Sequence, residues 1–294
     1  MNAAKWLGLA VQISIVLTVL AFGMTATWQQ AFYLLRSPGL LARTVLSMNI
    51  IMPIIAVVLV SIFPLRLEVK AALVALVISP VPPIIHRSEL KAGGRREYVV
   101  GLMVAMSLLA IVLVPLSVVI VNRVYGSAGV VTPLMVAKIM LKTVLVPLFI
   151  GLLLRQWVPA VEKASSAVLA VATVLLVGGI VLLLFGLWPV VRPWLGNGLA
   201  AMLAVIAAIG LGVGHVLGGP LSADRTVLAI STASRHPAAA LTIATSGPLT
   251  ATATKPILAV ILIYVVASAI VAIPYKKWRE RTAGARLHDA GGKA

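Results

Sequence analysis

The chain contains no cysteine, which excludes disulfides, thiolate metal centres and cysteine chemistry. Carboxylates are almost as scarce. Seven Asp and Glu side chains serve all 294 residues: Glu68, Glu89, Glu97, Glu162, Asp224, Glu280 and Asp289. None is expected in the middle of an apolar run, so no carboxylate pair for acid–base chemistry stands out. Motifs such as HExxH or a nucleophile elbow are absent too, and so is a nucleotide-binding motif. A membrane-embedded enzyme or a sensor is therefore the weaker alternative reading, and no catalytic residue or metal ligand is assigned. Charged residues make up 11% of the chain, against about 25% in a soluble domain. Hydrophobic residues make up 61%, and the mean hydropathy is +1.12. No soluble fold of this size hides that much apolar surface, so the solvent is lipid.

The net charge of +17 does not point to nucleic acid. The basic residues fall mainly in short loops and a C-terminal tail, which is how membrane proteins use Lys and Arg. Nine segments reach the length of about 20 apolar residues that a bilayer-spanning helix needs: 6–24, 40–63, 69–86, 98–122, 130–157, 164–188, 197–218, 223–247 and 255–275. They are continuous runs rather than alternating ones, which excludes a β-barrel. The expected fold is an all-α integral membrane domain of nine transmembrane helices. The first run is expected to be retained, since no clear small-x-small cleavage site follows it.

Nine spans put the termini on opposite sides. With the N-terminus outside, fifteen Lys and Arg lie inside and six outside. The positive-inside rule therefore places the C-terminus in the cytoplasm. Residues 25–38 are too polar to span and are expected to form a short amphipathic helix at the inner face. Residues 279–294 form a basic tail. The glycine-rich run 208–219 lies inside a span, where small residues let helices approach, and is no phosphate loop. Asp224 is expected to cap the eighth span, and Arg87 and Glu89 to form a solvated edge of the loop that follows the third.

Two spans interrupt themselves. Residues 231–244 read STASRHPAAALTIA, and residues 79–89 read SPVPPIIHRSE. Proline removes a backbone donor and clashes with the preceding turn, and it drives the residue before it away from helical angles. Each break also carries a His/Arg pair. Freed backbone at membrane depth is tolerated only where protein or a water-filled cavity satisfies it. Two interrupted helices, one in each half of a chain, are the sequence mark of a secondary transporter's binding site. Arg235 is a candidate for gripping a carboxylate or sulfonate. His236 and His86 are candidates for substrate contact or proton transfer. Ser234 lies on the same break, and Lys142, one helical turn past Lys138, is placed to face the cavity.

These residues resemble the bile acid/sodium symporter superfamily. FGMTAT (22–27), MNIIMPIIA (48–56), LVPLFIGLLLR (145–155) and STASRHPAAALTIA occur in that family's order and spacing. The resemblance implies two inverted repeats and a pair of discontinuous crossing helices. Here the first helix of the first repeat is missing. That leaves four helices in residues 1–123 and five in residues 130–278. It also implies symport of a small organic anion, bile-acid-like or a small carboxylate or sulfonate, across a bacterial inner membrane. Sodium-coupled members carry Glu where this chain has Ser231, Gln where it has Arg235, and Asn where it has His86 and His236. Their first crossover carries Gly and small hydroxyl residues in place of Pro82, Pro83 and Ile84. Sodium would have to use Ser231, Thr232, Ser234 and backbone carbonyls; otherwise a proton is the coupling ion, or transport is uncoupled. No other cofactor is expected. The partners are the organic anion and the bilayer, and the oligomeric state is open.

Overall fold

The computed structural model describes residues 3–82, 85–125, 133–195, 198–245 and 253–291. Pro83 and Ile84 of the first break, and Ser246, lie outside them. The described residues form helices and no strands. They are α1 (Ala3–Gly23), α2 (Trp28–Ala31), α3 (Pro38–Ile62), α4 (Leu67–Ile78), α5 (His86–Lys91), α6 (Arg96–Tyr125) and α7 (133–157). Then follow α8 (Val161–Gly186), α9 (Trp188–Leu195), α10 (Leu199–Leu217), α11 (Ser222–Ala233), α12 (Pro237–Thr245) and α13 (Thr254–Gly291).

Among the described residues six helices are long and apolar enough to cross a membrane: Pro38–Ile62, Arg96–Ile120, Ala137–Trp157, Val161–Gly186, Leu199–Leu217 and Thr254–Ala283. The other three expected spans correspond to α1, whose apolar stretch Leu9–Gly23 is shorter, and to the pairs α4/α5 and α11/α12. The expected amphipathic helix at 25–38 reduces to the single turn of α2. A reciprocal capping box starts it, with Thr27 Oγ1 accepting from the Gln30 amide and Gln30 Oε1 from the Thr27 amide. α13 runs on to Gly291, well past the expected span end at residue 275.

Two layers follow from the packing. α1 lies against α7 and α8. The second group joins α4, α10, α11, α12 and α13 around a core that includes Leu73, Leu76, Leu203, Ile206, Val260 and Tyr264. α10 meets α11 backbone to backbone. A Cβ on Gly214 would stand 2.5 Å from Ala229 Cα, so only glycine fits, as the packing reading of 208–219 requires. α8 instead turns Val171, Val174, Val177, Leu182 and Phe185 outward, which is what a lipid-facing helix does.

Two long helices carry a widened turn just ahead of a proline. In α3, residues Leu46–Ile51 wind loosely, and the Met52 amide bonds to Ser47 O, five residues back. In α7, Leu141–Leu145 do the same, with the Val146 amide on Leu141 O. Pro53 and Pro147 cannot donate to the preceding turn, and a π-type turn absorbs the misfit. In a regular helix the Met52 amide would bond to Met48 O. The widened turn releases that carbonyl.

Candidate functional site

The first half-helices of the two breaks end alike. α4 stops at Ser79 and α11 at Ser234, both in extended conformation (φ −65°, ψ 148° and φ −108°, ψ 143°). The breaks bond to one another: the His236 amide donates to Pro80 O at 2.9 Å. Pro237 then starts α12, a position where its missing N–H costs nothing. His236 caps that helix, since its Nδ1 accepts from the Ala239 amide at 3.3 Å. An Nδ1 that accepts leaves the neutral ring's hydrogen on Nε2. Nε2 is buried and has no hydrogen-bond partner.

Arg235 is 3% exposed. Its Nη1 reaches Ser79 O at 3.4 Å and its Nη2 reaches Met48 O at 3.5 Å. The second of these carbonyls is the one the widened turn of α3 releases. Both bonds are long, and the buried Nε has no partner. No described carboxylate lies within 4 Å of the guanidinium. Tyr264 of α13 stands beside it and donates its hydroxyl proton to Ala233 O at 2.8 Å. Arg235 thus helps neutralise the end of α4 and engages the Tyr264 hydroxyl, while its buried Nε has no acceptor.

The first break holds a different constellation. His86 opens α5, and its Nδ1 lies 2.8 Å from Glu89 Oε2. Ser231 of α11 donates to Glu89 Oε1 at 2.5 Å. All three side chains are fully buried. The placement of Glu89 corrects the expectation of a solvated edge. α5 folds its Glu89 face inward against α11, whereas Arg87 is exposed. Spacing gave one clue: residues three apart share a helix face, so a carboxylate at 89 sides with the histidine at 86.

Ser231 spends its proton on Glu89. Thr232 pairs with Ser47 of α3, oxygen to oxygen, at 2.8 Å. Ser234 is half-buried on the break. Two of the three hydroxyls expected to hold an ion, those of Ser231 and Thr232, therefore serve different neighbours. Among the described residues no group of three or more His, Asp or Glu is placed to hold a metal. Lys142 sits on the widened turn of α7 and is exposed, and no bond ties it to the crossing. Asp224 does not cap α11, whose N-cap is Leu221. It pairs with Arg95 at 2.8 Å, and Arg95 also lies over the Tyr33 ring. Sequence reading also missed Tyr264, Ser47 and the Met48 carbonyl, because tertiary packing alone brings them to the crossing.

Beside the crossing is a small open cleft of about 10 Å³, room for about one water molecule. Pro80 and Ala239 bound it on the crossing side, Val114 on α6, and Met135, Ile139 and Met140 on α7. Its lining is apolar apart from Thr242. The FGMTAT stretch also reaches the site: the Phe22 ring meets the His86 ring edge-on, with centroids 5.8 Å apart.

Broken helices whose buried polar groups converge inside an apolar bundle define an integral membrane protein with an intramembrane polar site. A profile of the sodium bile acid symporter family matches residues 12–188, more than half of the chain, and the chain belongs to that family of membrane transporters. The match ends before α10, so Arg235 and His236 lie beyond it. No curated protein matches the sequence.

Proposed function

We propose that this chain is a secondary transporter of an organic anion, with the anionic group held at the second break. One observation carries the reading: Arg235 Nε and His236 Nε2, on consecutive residues of the break, are both buried and without acceptors. An unpartnered buried donor costs about 1–3 kcal/mol, more if charged. A carboxylate or sulfonate accepts from both and balances the guanidinium. The apolar cleft toward α7 would widen to take the apolar body of the substrate. Ser234 borders the anion, and His86 is engaged with Glu89. Lys142, exposed on α7, meets the substrate only after a movement of α7 against the crossing.

The paired breaks favour the inverted layout of four helices followed by five, with the N-terminus outside and the C-terminus in the cytoplasm. The Ser231 and Thr232 hydroxyls would need to leave Glu89 and Ser47 to join Ser234 around a sodium ion. The test is uptake of labelled taurocholate and a panel of small carboxylates and sulfonates into proteoliposomes, with sodium and proton gradients imposed separately. Saturable uptake that Arg235→Met abolishes supports the reading. Uptake indifferent to that substitution, or none from a folded protein across the panel, overturns it.

A further inference from the structure

Glu89 has no place in anion binding, yet it is the most costly residue at the crossing. It is a carboxylate at 0% exposure. Its bonds come from His86 Nδ1 and Ser231 Oγ. No described Lys or Arg lies within 4 Å of it. A buried ion that lacks a countercharge carries a penalty of several kcal/mol. The acceptor-only carboxylate fixes the histidine tautomer: Nδ1 holds the hydrogen that points at Oε2. His86 Nε2 is then a bare lone pair, buried and unpartnered.

Among the described residues, no surrounding Lys or Arg forms an ion pair with Glu89. From α6, Tyr98 faces the site and bonds to Thr44, while Arg95 is taken by Asp224 of α11. From α13, Lys276 acts on Glu89 electrostatically but more strongly on Glu280, and forms no ion pair with either. On α5 itself Arg87 is exposed and Lys91 lies at the far end. α1 offers the uncharged edge of Phe22.

We infer that the His86–Glu89 pair is a proton-binding site, and that its loading balances the anion held at Arg235. The proton comes from water on one side of the membrane and adds to the free lone pair of His86 Nε2. The Nδ1–H···Oε2 bond stays, and the charge of the pair goes from −1 to zero. Which of the two residues then holds the proton is a property of the pair. The empty protein carries one uncompensated cation, Arg235, and one uncompensated anion, Glu89. Binding an anion and a proton together neutralises both, so the loaded crossing moves no net charge. This coupling role rests on the transport reading above; the proton site itself does not.

The test uses the full chain in lipid nanodiscs with nitrogen-labelled histidine, followed by magnetic resonance without substrate. The pH runs from about 8 to about 5, spanning the range in which an unperturbed imidazole titrates. One ring is expected to gain a proton reversibly, and Glu89→Gln to change that behaviour. His86→Gln assigns the signal. If that variant does not fold, replacing His215, His236 and His288 instead leaves His86 as the remaining histidine. A His86 ring that keeps one protonation state throughout overturns the inference and leaves anion transport untouched.

Labelled taurocholate in sodium-free proteoliposomes tests the coupling. A gradient of about one pH unit should drive about tenfold accumulation, because one unit is a factor of ten in an equilibrium constant. Glu89→Gln should lose that drive and still bind taurocholate. Uptake that ignores the pH gradient, or that runs on sodium alone, overturns the coupling. A titrating His86 with no flux under either gradient supports the proton site and counts against taurocholate transport instead.

Discussion

The two breaks share a plan and then diverge. In each, a half-helix ends on an extended serine, proline follows within three residues, and a buried histidine stands next to the second half-helix. At the second break the His236 ring is used on the α12 backbone, and the neighbouring charge is a guanidinium with no carboxylate. At the first break the His86 ring is used on a carboxylate with no guanidinium. A chain with seven acidic residues has buried one cation and one anion at the same crossing without pairing them. Had Glu89 and Arg235 formed a salt bridge, each would have satisfied the other and neither would be open to a ligand. Separation costs stability and keeps two sites of opposite sign available.

That contrast can be broken from either side. Arg235→Met removes the cation and should weaken taurocholate binding at least about 100-fold, the loss expected when about 3 kcal/mol of charge-assisted bonding disappears. Equilibrium dialysis measures it, and an unchanged affinity would remove the anion role. Glu89→Ala acts on the other side. It strands His86 and Ser231 in the interior, so thermal unfolding in nanodiscs should report a loss of about 3 kcal/mol, as for one partner of a buried pair. A stability equal to that of the parent would show Glu89 to be neutral or solvated. Gly214→Leu leaves both charges intact but forces α10 off α11, at about 1–3 kcal/mol. It tests whether the second break depends on that backbone contact.

Smaller effects sharpen the comparison. Ser231→Ala should cost about 0.6 kcal/mol, the average for an interhelical hydrogen bond in a membrane. A much larger loss would mean that Ser231 organises more than one bond to Glu89. Arg87→Ala should stay within about 0.5 kcal/mol, as exposed substitutions do. A large effect there would reassign the charge of the first break from Glu89 to Arg87.

Much of this architecture was legible in the sequence, because lipid imposes length and apolarity on each span. Both breaks were marked by their prolines, and the packing role of 208–219 by its glycines. Arg235 and His236 stood out because ionisable groups are rare in such runs. Glu89 did not, since a carboxylate six residues past a proline cluster reads as loop until α5 turns it inward. The length rule counted 69–86 and 223–247 as whole spans, whereas each is divided into half-helices too short to register as a span. Lys142 was chosen for its depth, and depth says nothing about which way a helix faces. The widened turns of α3 and α7 were implicit in Pro53 and Pro147. What they release, the Met48 carbonyl beneath Arg235, depends on how α3 sits against α11.

The bond from the His236 amide to Pro80 O has a mechanical consequence. It joins the two interruptions at their weakest points, where neither backbone has a helical partner to fall back on. Pulling them apart would strip a donor and an acceptor bare in hydrocarbon, at several kcal/mol each. The two knots therefore travel as one piece. Sliding is cheaper along the seam where Met135 and Ile139 of α7 look across the cleft at Ala239 and Ile243. That seam is lined mostly by apolar side chains, and its methionine can re-shape as the surfaces pass.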